Sequence, residues 1–112
     1  MLLGCGKTRK YTGKFEFTVI SISWSILPPY STVTKFTYNG DVKKNSKKHL
    51  DINYSNESIV SPEINEDGSF VPVHENHSLL RGNFTSKDEV EFYYSRGGNG
   101  GGIIDSVTGK RR

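Results

Sequence analysis

Apolar side chains recur at every second position along most of this 112-residue chain, in short runs separated by turn-forming residues. That period puts alternate residues on opposite faces of a strand. The first run covers residues 14–26. Phe15, Phe17 and Val19 share one face and Ile20, Ile22 and Trp24 the other, so the change of phase predicts a bulge or bend near Val19-Ile20. Pro28-Pro29 ends the run, since proline has no N–H to give to a ladder. Residues 32–42 form a second run, with Asn39-Gly40 as a turn or a bulge. After a basic loop at 43–48, residues 49–54 place Leu50, Ile52 and Tyr54 on one face. Residues 58–64 contain Pro62 and suit a sheet edge. Asn65-Glu66-Asp67-Gly68 predicts a hairpin turn, with Gly68 available for positive φ. Further strands are expected at 69–73, 79–85, 89–96 and 103–110, with loops at 74–78 and along the glycine run 97–102. In the run 89–96, Val90, Phe92 and Tyr94 oppose Glu91 and Tyr93.

About eight short strands on short connections, with no required helix, predict an all-β fold: an antiparallel meander closed into a barrel, or alternatively a small β-sandwich. Composition points the same way. Only 33% of residues are hydrophobic while 12% are aromatic, and alanine, the best helix former, is absent. The length suits one domain, expected over residues 11–112 behind a flexible linker at residues 1–10.

The formal charge of +3 is mild, and the basic residues gather at 7–10, 43–48 and 110–112, which are two chain ends and a loop. Solvated charge is the ordinary reading of such runs, and contact with a negatively charged membrane or cell-surface polymer is the alternative. Nucleic acid is not an expected partner, since no basic face with interleaved aromatics emerges. The single cysteine, Cys5, cannot close an internal disulfide or build a cysteine zinc cluster. No stretch approaches the roughly 20 apolar residues of a membrane span.

Met1-Leu2-Leu3-Gly4-Cys5-Gly6 resembles the lipobox of bacterial lipoproteins: apolar residues, a small residue, then the cysteine that receives the lipid. The resemblance implies lipidation of Cys5 and a lipid-anchored place in the cell envelope. No Asp follows Cys5, so the outer membrane or cell surface is the expected address. It also expects about 15 further upstream residues with an apolar core. Gly4-Cys5-Gly6-Lys7-Thr8 looks like the end of a phosphate-binding loop, but Met1 stands where that motif needs its first glycine. A wider layout comprises Tyr11 to Phe17, Trp24, Gly82-Asn83-Phe84, Val90 to Tyr94, the glycine run and Val107-Thr108-Gly109-Lys110. It resembles small bacterial surface lipoproteins and, more loosely, lipocalin-like and avidin-like barrels. That likeness implies location and fold, and it brings no activity.

Candidate chemistry is sparse. Trp24, Tyr30, Tyr93, Tyr94, Arg81 and Arg96 are the candidate ligand-binding residues, because aromatics at one barrel end with arginine nearby stack on a sugar or an apolar ring. Ordinary packing is the alternative. His74 and His77 are three apart and could share a metal, or else belong to a polar loop. Residues 63–74 follow a calcium loop only until the twelfth position, where His74 replaces the required Glu. The glycine run leads into a strand and not into a helix, unlike phosphate loops. No nucleophile stands in a recognisable elbow. The sequence therefore predicts a lipid-anchored binding or interaction module without cofactor, metal or catalysis. Its partner would be a protein, a glycan or a small apolar ligand. The alternatives are a structural subunit of an envelope complex and a small hydrolase.

Overall fold

The computed structural model describes residues 8–28, 30–56, 58–75, 77–98 and 100–112, with Glu75 as backbone only. Cys5 and the rest of the lipobox-like run lie outside the described residues, as do Pro29, Asn76 and Asn99. Eight antiparallel strands follow one another: β1 (Gly13–Ser25), β2 (Ser31–Lys44), β3 (Leu50–Asn53), β4 (Ile59–Val60), β5 (Val73–Glu75), β6 (Ser78–Ser86), β7 (Glu89–Gly98) and β8 (Gly101–Arg111). They form one sheet in the order β4-β3-β2-β1-β8-β7-β6-β5.

That order is the neighbour sequence of an eight-stranded up-and-down barrel, cut between β4 and β5. β1 and β8 seal one side, pairing from Phe15↔Arg111 to Ser25↔Gly101. On the other side β4 and β5 remain unpaired edges, so the barrel is an open, strongly curled half-barrel where closure was expected. The reason is local. β4 has two residues and β5 three, and Pro62 and Pro72 flank them, so neither offers a ladder long enough to close.

The connection from β4 to β5 closes the lower end of the gap. Leu50 N–H donates to the Pro62 carbonyl and Ile64 N–H to that of Lys48; on the far side Phe70 N–H donates to Gly82 and Phe84 N–H to Gly68. Ile64 and Phe70 bridge each other, so a small hairpin spans from β3 to β6. Its turn is the expected one, with Gly68 at φ 92°. Beneath it the core is solid: Phe15, Phe17, Leu50, Ile52, Phe92 and Val107 are all nearly inaccessible. In β1, β3 and β7 the faces built on Phe15, Leu50 and Val90 by the alternation are the inward ones.

Four local expectations are corrected. β1 carries no bulge, since its pairing with β2 runs unbroken from Gly13↔Val42 to Trp24↔Ser31. The apolar residues change face while the backbone does not. Asn39-Gly40 is neither turn nor bulge, since it pairs unbroken with β1 inside β2; the glycine lets the Asn53 carbonyl oxygen of the neighbouring β3 approach where a Cβ would collide. The strand expected at 69–73 is reduced to single bridges by Pro72, and β5 begins instead at Val73, so His74 lies in a strand and His77 turns the chain at φ 69°. Most of the glycine run is strand too, with Gly97↔Gly102 and Gly98↔Gly101 paired.

Thr8, placed by sequence in a linker, is buried at the closed end, with Arg9 and Lys10 exposed beside it. There Arg111 acts as a clasp: its guanidinium donates to the carbonyls of Thr12, Lys10 and Lys87 and to Asp88 Oδ1, and lies over the Phe15 ring. At the other end the β1–β2 and β7–β8 hairpins run on past the core, which gives the molecule extents of 57 × 29 × 20 Å.

Candidate functional site

Above the core, the concave face changes character. Register places Ser21, Thr34, Asp105 and Tyr94 in one row across β1, β2, β8 and β7, and Ser23, Thr32, Ile103 and Arg96 in the next. Of these residues Ser21, Asp105, Ile103 and Arg96 floor an open cleft of about 410 Å³, walled by Phe36, Tyr38 and Tyr54 with Ser55, Asn56 and Ser58 at its lip. The volume lies within the usual range of small-molecule sites. A second opening of about 320 Å³ is the slit between the unpaired edges, lined by Ile59, Val73, Leu80 and Tyr94.

At the base of the cleft Asp105 is 4% exposed. A carboxyl there needs partners, since an unpaired buried charge is costly. The Tyr54 hydroxyl donates to its Oδ2 at 2.7 Å and Arg96 Nη1 donates to the same oxygen at 3.1 Å. Burial, and then the adjacent carboxylate, push the Tyr54 phenol well above the ordinary tyrosine pKa. Burial opposes the Arg96 charge, but Asp105 outweighs it and holds the guanidinium above its usual value. Arg96 also lies 4.7 Å from the centre of the Tyr94 ring. Asp105 and Tyr94 thus hold a guanidinium in place, with donors that bond nothing else among the described residues, beside an aromatic wall. Such an arrangement can seat a flat ring and bond its polar or anionic edge.

The six candidates of the sequence do not form one mouth. Arg96 lines the concave cleft and Tyr94 the slit between the unpaired edges. Tyr30, at the arm tip, is 66% exposed, and its carbonyl accepts from Ser25 N–H, which extends the concave register. Trp24, Arg81 and Tyr93 lie on the convex face. There the Trp24 indole rests on Gly102 and Gly97; a Cβ on Gly102 would stand 2.8 Å from the indole nitrogen. Arg81 sits 6.0 Å from the Tyr93 ring, beside a convex hollow of about 460 Å³. That hollow is larger than the cleft, but among the described residues no buried polar side chain is aimed into it. His74 and His77 belong to the β5–β6 hairpin, and among the described residues no group of three metal-ligating side chains gathers.

The sequence reading missed Asp105, Tyr54, Phe36, Tyr38 and Ile103 as site residues. One signal was present: Asp105 shares the phase of Val107, and so points to the face that Val107 buries.

No protein-family model and no curated protein matches the chain. Among solved structures it is similar to the S-type phycobiliprotein lyase CPES from Guillardia theta, at 11% identity and a TM-score of 0.42, over 93% of this chain and 89% of that one. A likeness this distant assigns neither activity nor ligand.

Proposed function

We propose that the protein is a binding module. The open upper half of its barrel takes a small, flat, largely apolar molecule with a polar or anionic edge. The observation that carries this reading is the Tyr54–Asp105–Arg96 network, in which two buried groups hold a half-buried guanidinium at the base of an aromatic-walled cleft that the core leaves open. Phe36 and Tyr38 would contact the ring, and the remaining Arg96 donors its edge. Packing alone does not call for a carboxylate as buried as Asp105, because an apolar side chain of similar volume serves a core as well or better.

Anilinonaphthalene sulfonate, an aromatic anion that fluoresces when sheltered from water, tests the reading. Saturable enhancement is expected. Arg96→Met should weaken it about tenfold, the worth of one charge-assisted hydrogen bond. Ile103→Asp should abolish it, while Arg81→Met on the convex face leaves it unchanged. Enhancement that never saturates, or that responds only to Arg81→Met, overturns the proposal.

The proposal extends to location: a lipid on Cys5 would hold the module at the cell envelope. The motif Leu2-Leu3-Gly4-Cys5 supports this. Palmitate should label the wild-type protein and not Cys5→Ala, and an unlabelled wild type ends this part of the reading.

A further inference from the structure

β2 has a free edge. It pairs with β1 along Ser31–Val42 but with β3 only from Asp41 to Lys44. The Ser25 N–H to Tyr30 carbonyl bond sets the phase of the ladder: even-numbered residues of β2 turn their backbone groups to β1, and odd-numbered ones turn theirs away. The pairing of Asp41 and Lys43 with β3 agrees with that phase. Ser31, Val33 and Lys35 therefore direct N–H and C=O groups to the open side, where no backbone hydrogen bond from the described residues reaches them. An edge of this kind invites another strand.

The side chains say which strand. Tyr30-Ser31-Thr32-Val33-Thr34-Lys35-Phe36 is a palindrome in chemical character about Val33: aromatic, polar, Thr, Val, Thr, polar, aromatic. A two-fold contact requires each residue to face its mirror position, and a palindrome fits itself antiparallel. We propose that two copies of this chain pair antiparallel along β2 with Val33 on the dyad, so that Tyr30 of each copy stands beside Phe36 of the other at the mouth of the binding cleft.

Charge excludes one alternative register. Shifting the pairing by two residues, to centre on Lys35, would set two ammonium groups opposite each other, which destabilises a cross-strand pair. Centred on Val33, each Lys35 faces a Ser31. Three hydrogen-bonded pairs then form, Ser31 with Lys35, Val33 with itself, and Lys35 with Ser31, giving about six backbone bonds at two per pair. Apolar surface follows the same line. Val33 is 64% exposed, and on the convex face it neighbours Ile22, which neighbours Ile104. Across the dyad that stripe becomes continuous, which gives a use to the apolar phase that moves outward at Ile20. On the concave face the even-numbered residues are non-hydrogen-bonded pairs, the closer of the two kinds, so Tyr30 meets Phe36 of the other copy at short range. Phe36 lines the cleft, and each copy thereby lends an aromatic ring to its partner's site.

The contribution of Tyr30 to the cleft rests on the proposed ligand reading; the pairing itself does not. Sedimentation of the full protein should give twice the 12.6 kDa chain mass. Val33→Pro removes an N–H that points away from β1, so it should yield a monomer with an unchanged circular dichroism spectrum. In a Cys5→Ser background, Val33→Cys should oxidise to a covalent dimer, since hydrogen-bonded partners stand about 5.5 Å apart at Cα, within disulfide reach. Lys35→Cys should not. A wild-type monomer, a dimer that survives Val33→Pro, or crosslinking through Lys35→Cys in place of Val33→Cys each overturns the pairing. In the wild-type dimer, Tyr30→Ala should weaken the aromatic anion probe severalfold without changing the mass. An unchanged probe affinity removes Tyr30 from the site and leaves the pairing standing. A wild type that never binds the probe ends the ligand reading, and the mass still decides the dimer.

Discussion

Tyr54 donates a hydrogen bond to Asp105 from a buried phenol, and its ionisation is displaced well above that of a free tyrosine. In the unfolded chain the same group ionises near pH 10. Its folded pKa is raised, so the stability it contributes is complete below about pH 10 and is lost as pH climbs through the folded value. Thermal melts taken from about pH 9 upward should show an alkaline decline that sets in near pH 10. Tyr54→Phe should flatten that decline while costing about 1–2 kcal/mol at neutral pH for the lost bond. Arg111 is the second residue with an outsized role. Its guanidinium reaches three carbonyls on two chain segments, a fork geometry that no ammonium reproduces. Arg111→Ala should cost about 2 kcal/mol in urea unfolding, and Arg111→Lys should recover little of it.

β1 and β2 each perform two tasks along one uninterrupted ladder. Their lower halves bury Phe15, Phe17, Val19 and Val42 against the core, and their upper halves leave it. Strand length decides this: β1 has 13 residues and β2 has 14, whereas β3 has four, so the long strands outrun the element that would cover them. Stability should divide the same way. Phe17→Ala should cost about 3–5 kcal/mol, as expected for a large ring removed from a sealed core. Ile22→Ala, five residues further along β1 and on the convex face, should cost under about 1 kcal/mol in the same urea titration, because Ile22 is only partly covered.

The molecule as a whole is a sealed base carrying an open top. The 61–72 connection and the Arg111 clasp close one end, and the short β4 and β5 leave the other end split. A cleft needs this division: the base supplies folding stability and the top supplies accessible surface. Hydrogen exchange should reflect it. Amides of Phe17, Val19, Phe92 and Val107 should exchange only through global opening, whereas outward amides such as Val33 and Lys35 exchange fastest. Those two amides should slow at high protein concentration if β2 pairs with a second copy.

Alternation in the chain was enough to determine the all-β class, the strands built on Phe15, Leu50, Leu80 and Val90, and the turn at Gly68. Each of these depends on neighbours in sequence: the two-residue period, or one backbone angle that glycine tolerates. The open barrel, the straight passage of β2 through Gly40, the Arg111 clasp and the Tyr54–Asp105–Arg96 network were decided only in three dimensions. Tyr54 and Asp105 are 51 residues apart and come together because β3 curls over β8 across the hollow of the sheet. Likewise, the six aromatic and arginine candidates were chosen by residue type, but their faces follow from register. Tyr93 and Tyr94 are adjacent in the chain, so the pleat must send them to opposite sides of the wall.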